Sequence, residues 1–118
     1  MSDKVLRLSA VVTVHNEERQ LAACLGGLEF ADEIVVALDR CTDRSRDIAL
    51  EHGAKIVEGA WPVEGERRNA SIAAAAGDWI LEVDADERVP TELAAEIRHI
   101  VATSTFDRHL IPVDNYIG

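Results

Sequence analysis

Trp79-Ile80-Leu81-Glu82-Val83, followed at once by Asp84-Ala85-Asp86-Glu87, is the stretch that decides the fold. A short apolar run of this kind predicts a buried strand, and the abrupt change to carboxylates marks its end. Upstream, residues 66–76 predict a helix closed by Gly77. Downstream, a helix starts near Pro90, with Leu93, Ala94, Ile97, Ile100 and Val101 as its apolar stripe. The same alternation holds further out. Residues 8–14, 33–38 and 54–58 predict strands, and residues 109–113 begin a fifth. Between them, Asn16 is placed to cap a helix carrying Leu21, Cys24, Leu25 and Leu28, and Thr42 to cap a second over 43–52 with Gly53 as its stop. Residues 59–65 form a loop containing Trp61-Pro62. Strands separated by helices imply parallel β-α-β units. The expected fold is therefore α/β with a mostly parallel sheet, whose ligands sit beyond the carboxyl ends of the strands.

The chain has 118 residues, enough for one domain, and 47% hydrophobic content is ample for a core. Aromatics make up only 4%, which argues against base stacking on single-stranded nucleic acid. The formal net charge of -10 argues against nucleic-acid partners in general. An acidic protein that holds a diphosphate needs a bound cation, a helix N-terminus or a local arginine. Cys24 and Cys41 form no CxxC pair, so a reducing compartment is the simpler reading. No run approaches the roughly 18 apolar residues of a membrane span, and residues 1–10 lack a signal-peptide core. These features make a cytoplasmic location the expectation, compatible with peripheral attachment to the inner membrane face.

Polar residues gather at three strand ends: His15-Asn16-Glu17, Asp39-Arg40 and Asp84-Ala85-Asp86-Glu87. In an extended segment, residues two apart face the same side, so Asp84 and Asp86 would present two hard oxygen ligands suited to Mg²⁺ or Mn²⁺. Their alternative role is to cap the following helix in solvent. Asp39 suits either hydrogen bonding to a ribose or base N–H, or a structural role in a turn-prone segment. Arg67, Arg68 and Asn69 lie near the start of a helix. Arg68 is the favoured phosphate or base contact, against a solvated basic face paired with Glu64 or Glu66. His15 has no second histidine at zinc-ligand spacing. Cys24, Trp61 and Trp79 read as packing residues, although Trp61 stands in a loop.

As a set, four segments resemble the family 2 glycosyltransferases, which have the GT-A fold. They are residues 11–18, Asp39 with Thr42-Asp43, Arg67-Arg68-Asn69-Ala70, and residues 77–87. The Gly77-Asp78-Trp79 and Asp84-Ala85-Asp86-Glu87 pairing is similar to the lipopolysaccharide-core glucosyltransferases. The resemblance implies one nucleotide-sugar-binding (donor) domain over residues 1–118, Rossmann-like and stopping after about the fifth strand. Its donor is a nucleoside-diphosphate sugar, most often a UDP-sugar, bound by Thr13, His15, Asn16, Glu17, Asp39, Arg68 and Asp84. Thr13 and His15 would line the base pocket with Glu17 beside it, and Asp39 would read the uracil. Arg68 would stand near the base, Asp84 near ribose and metal, and Asp86 would be the direct ligand of Mg²⁺ or Mn²⁺. Many relatives have Tyr at the place of His15, and Asp-Gly-Ser where this chain has Arg40-Cys41-Thr42.

The resemblance also implies inverting transfer to a saccharide or glycolipid acceptor, with the base, usually Asp or Glu, supplied by an acceptor half beyond the fifth strand. The isolated chain is therefore expected to bind nucleotide weakly, to turn over little, and to self-associate through an exposed sheet edge. A non-catalytic nucleotide-binding or interaction module on the same fold is the alternative. A dinucleotide-dependent oxidoreductase would need a glycine-rich turn after the first strand, where His15-Asn16-Glu17-Glu18-Arg19 has none. A phosphoacceptor receiver would need an acidic pair there and a late lysine, and the only lysines are Lys4 and Lys55.

Overall fold

Five strands, all parallel, form one sheet in the computed structural model, which describes residues 8–103 and 109–112. In chain order the elements are β1 (Leu8–Val14), α1 (Glu18–Gly26), β2 (Glu33–Asp39), α2 (Ser45–Glu51), β3 (Lys55–Gly59), α3 (Glu64–Ala74), β4 (Trp79–Asp84), α4 (Thr91–Thr103) and β5 (His109–Pro112). The sheet order is β3-β2-β1-β4-β5. The chain runs outward from β1 to β3, then crosses back through α3 to lay β4 on the other side of β1. The α/β fold with a parallel sheet is as expected. Val113, included in the fifth strand from sequence, lies outside the described residues.

Side-chain parity sorts the helices. Ala10, Val12 and Val14 of β1 pack with Leu21, Cys24 and Leu25 of α1, Ala49 of α2, and Ile97 and Val101 of α4. Val11, Val35 and Ile80 point the other way, against Ile72 and Ala74 of α3. The central strands are thus apolar on both faces, which is why they read as unbroken hydrophobic runs rather than alternating ones. Leu81 is fully buried beneath α1 and α4, so Leu81→Ala is expected to cost about 2–5 kcal/mol.

At the amino ends of the strands, Ser9 Oγ donates to Glu33 Oε1 (2.7 Å) and accepts the Gly77 N–H (2.8 Å). A Cβ on Gly77 would lie 2.6 Å from Ser9 Oγ and 2.9 Å from its main-chain nitrogen. Gly77 therefore serves close packing between chain segments. It does not close α3, which ends at Ala74 with Ala75 as its cap.

Two expected caps differ. Asn16 does not cap α1. Glu17 holds that position, while Asn16 sits at φ 52 and turns its side chain toward the loop after β2. Thr42 does not cap α2, which starts at Ser45 after Arg44. Asp43 accepts the Ser45 N–H there (2.9 Å), so a local side chain-to-backbone turn replaces the first helical turn. Gly53, at φ 72 just past α2, is the left-handed stop that its sequence position implies.

Candidate functional site

A cleft of about 460 Å³ opens where the sheet order reverses, between β1, β4 and α3. Open parallel sheets offer their ligand crevice at this point. Thr13 faces Asp84 across the β1–β4 ladder, and both line the cleft with Glu82, Arg67, Arg68 and Ser71. Val11 forms the apolar floor.

The loops after β1 and β2 are tied together by the residues singled out from sequence. His15 Nδ1 donates to the Asp39 carbonyl at 2.7 Å, which sets the ring tautomer. Asn16 Oδ1 accepts the N–H groups of Thr42 (2.7 Å) and Asp43 (3.2 Å). The Glu17 N–H reaches Ser45 Oγ at 3.1 Å, and its carboxylate accepts from Gln20. His15, Asn16 and Glu17 therefore brace the loop beside the cleft, while Thr13, Arg68 and Asp84 line it.

Asp39, at the end of β2, is only 3% exposed. Arg40 forks onto both of its oxygens (3.0 and 3.3 Å), Arg67 Nη1 reaches Oδ2 (3.3 Å), and the Trp61 N–H reaches Oδ1 (3.2 Å). Burial works to raise the carboxyl's pKa. The Arg40 hydrogen bonds, the Trp61 N–H and the two guanidinium charges outweigh it and hold the group below the ordinary aspartate value. The Trp61 ring packs over Gly59 so closely that a Cβ there would sit 2.5 Å from it. This fixes the loop that supplies the N–H.

The favoured arginine contacts a different partner. Arg68 forks onto both oxygens of Glu82, an ion pair that raises its own pKa, whereas Arg67 holds Asp39. The acid that Arg68 takes is thus on β4, across the cleft lining. Arg67, the less favoured of the two arginines from sequence, is the one that meets Asp39. The signal for Arg67 lies in helical phase relative to β2, and only the fold supplies that.

At the end of β4, Asp84 closes the strand and the chain turns. The Glu87 N–H bonds the Asp84 carbonyl (2.9 Å), and Glu87 Oε1 accepts the Asp84 N–H (2.7 Å). The extended geometry inferred from sequence thus stops at Asp84. Asp84 and Asp86 are both exposed, on either side of the buried Ala85. Cys24 Sγ packs under this turn, 3.6 Å from the Asp84 carbonyl, and burial pushes its thiol pKa up to about 11. Among the described residues no three His, Cys, Asp or Glu side chains converge to hold an ion by themselves. Two exposed carboxylates still fit Mg²⁺ or Mn²⁺, which characteristically use one or two protein carboxylates and take further ligands from phosphates and water.

The glycosyl transferase family 2 model matches residues 9–106. An uncharacterised glycosyltransferase of Rickettsia bellii is 32% identical over 105 residues, covering 88% of this chain and 36% of that protein. A lipopolysaccharide core biosynthesis glycosyltransferase of Rhizobium meliloti is 25% identical over 108 residues, covering 84% of this chain and 38% of that protein. The chain thus spans little more than a third of the length of these curated relatives. Among solved structures, S. aureus TarS superposes with a TM-score of 0.73 at 23% identity, over 82% of this chain and 32% of that one. Glucosyl-3-phosphoglycerate synthase from Mycobacterium tuberculosis, solved with Mn²⁺ and UDP-glucose, superposes with a TM-score of 0.68 at 24% identity, over 85% and 40%. Both share the fold.

Proposed function

The chain belongs to glycosyl transferase family 2, and on that premise we propose that it binds the donor, a nucleoside-diphosphate sugar and most often a UDP-sugar, together with Mg²⁺ or Mn²⁺. The observation that carries this reading is the pair of aspartate stations flanking β1. Asp39 on β2 and Asp84 on β4 end strands two positions apart in the sheet. Two strand spacings are about 10 Å, a separation that a nucleoside diphosphate bridges from base edge to phosphate. Asp39 would accept the base N–H, Thr13 would line the base pocket, and Asp84 and Asp86 would hold the cation.

The arginines near the cleft support metal dependence. Arg40 and Arg67 are committed to Asp39, Arg68 to Glu82, and Arg88 to the Ala85 and Glu87 carbonyls. An acidic protein with its local guanidinium groups so engaged gains most from a divalent ion when it holds a diphosphate. When bound, the ion supplies Lewis-acid stabilisation of the departing diphosphate. The protein's own part is to hold the nucleotide at both ends and to aim the anomeric carbon outward from the strand ends.

Inverting transfer then requires a carboxylate to deprotonate the acceptor hydroxyl. The carboxylates described at this end of the sheet already have other tasks, so the base is assigned to none of them. The same proposal places the chain in the cytoplasm, with self-association along a sheet edge. No helix among the described residues is long and apolar enough to cross a membrane.

Calorimetric titration of UDP and UDP-sugars, with and without Mn²⁺, tests the reading. The natural chain should bind better with Mn²⁺, and Asp86→Ala should lose that gain. Binding indifferent to Mn²⁺, or an Asp86→Ala variant that keeps the gain, would refute the metal assignment.

A further inference from the structure

Asp39 accepts four hydrogen bonds, two on each oxygen: Arg40 Nε and the Trp61 N–H on Oδ1, Arg40 Nη2 and Arg67 Nη1 on Oδ2. An ionised carboxylate offers about four lone-pair sites. The group proposed to read a nucleobase is therefore already saturated by the protein. For it to accept a base N–H, one of its donors has to leave.

The donors are not equally held. The Trp61 N–H is main chain, in a loop packed on Gly59. Arg67 projects from α3 and its side chain is 18% exposed. Arg40 is 56% exposed and reaches Asp39 from the adjacent residue in sequence. Exposed ion pairs contribute little net free energy, so the Arg40 fork is the easiest to displace. Its backbone sits at φ 50, held by its N–H on the Gly59 carbonyl at 2.9 Å. A non-glycine residue persists in the left-handed region only where its surroundings hold it there.

We propose that Arg40 is a displaceable internal ligand of Asp39, occupying the base-reading edge in the free protein and exchanged for the N–H of an incoming nucleobase. The proposal rests on the assignment of Asp39 as the base reader and adds a specificity-determining residue to it. A base that presents an N–H to the carboxylate, as the uracil imide does, compensates for the lost fork. A base without one leaves Arg40 in place. The same competition speeds departure of the product nucleotide, because Arg40 returns to Asp39 as the base leaves.

The charge of Arg40 and its proposed role predict opposite signs. Removing a cation near a polyanion should weaken nucleotide binding, whereas removing a competitor should tighten it. The experiment is calorimetric titration of UDP, and of ribose 5-diphosphate as a probe lacking the base, into the full chain and its Arg40→Ala and Arg40→Gly variants with Mn²⁺ present. Glycine removes the side chain and suits φ 50, so it carries the test if the alanine variant folds poorly. UDP should tighten about two- to fivefold, and ribose 5-diphosphate should not tighten. Unchanged or weaker UDP binding, or equal tightening of both ligands, would overturn the proposal. Asp39→Asn separates the two layers. If it binds UDP as the natural chain does, the Asp39 assignment itself fails. If it weakens UDP while the Arg40 variants do not tighten it, only the displacement fails.

Discussion

Asp39 at the end of β2 is 3% exposed beneath two guanidinium groups and a backbone N–H, whereas Asp84 and Asp86 at the end of β4 lie open to water on either side of the buried Ala85. The strands are parallel and flank the same β1, so the contrast comes from what each end meets. The end of β2 meets the loop from β3 and the first turns of α3, which bring the Trp61 N–H and Arg67. The end of β4 turns back on itself through Glu87 and leaves Asp84 and Asp86 exposed. One carboxylate is oriented and kept ionised before any ligand arrives. The other pair is exposed at a strand end, where a hydrated cation has direct access.

The first way to break this comparison is to strike β4 at its other end. Gly77→Ala drives a Cβ into Ser9 and should cost about 1–3 kcal/mol in denaturant unfolding. The surviving folded protein should keep its Mn²⁺ dependence. If that dependence disappears as well, the strand end is not the independent station described above.

Next in size are the two arginines. Arg67→Ala takes from Asp39 the less exposed guanidinium that orients it, a loss that outweighs the lone pair it frees, and should weaken UDP binding about tenfold, with or without Mn²⁺. Arg68→Ala removes an exposed pair with Glu82 and should change it by only about twofold. The reverse ranking would return the base-proximal role to Arg68.

Much of this architecture is legible in the sequence because its causes are local. Buried parallel strands must be apolar on both faces, so Leu8–Val14 and the run from Trp79 stand out, and the switch to Asp84 marks a strand end. Gly53 as a helix stop is equally local. What escapes lies in contacts between residues distant in the chain. Asn16 resembles a cap, yet its Oδ1 is taken by Thr42 and Asp43, which a separate strand brings beside it. Arg67 and Arg68 are neighbours of identical type. Only the phase of α3 against β2 and β4 sends one to Asp39 and the other to Glu82. Saturation of Asp39 by its own successor is likewise invisible, because Asp39-Arg40 reads as a turn until the backbone at φ 50 is seen.

A smaller effect concerns acid. Asp39 is held below its ordinary pKa against the opposing effect of burial, and so is Asp43, whose carboxylate accepts from the Ser45 hydroxyl and the Ser45 and Glu18 N–H groups. Such groups bind fewer protons folded than unfolded. Their stabilisation is fully present above the unfolded value near 3.9 and is lost as pH falls through the folded one. Denaturant midpoints should therefore not respond to these groups between neutrality and about pH 5, and should fall below about pH 4. Asp39→Asn should flatten the acid limb. An unchanged limb would mean that the Arg40 and Arg67 contacts do not hold the ionised form in solution.

The most direct test compares the two stations in one quantity, the ratio of UDP affinity with Mn²⁺ to that without. Asp39→Asn should lower both affinities and leave the ratio near that of the natural chain. Asp86→Ala should leave the metal-free affinity in place and bring the ratio close to one. Collapse of the ratio in Asp39→Asn, or its persistence in Asp86→Ala, would contradict the division of the donor between a base-reading β2 end and a cation-holding β4 end.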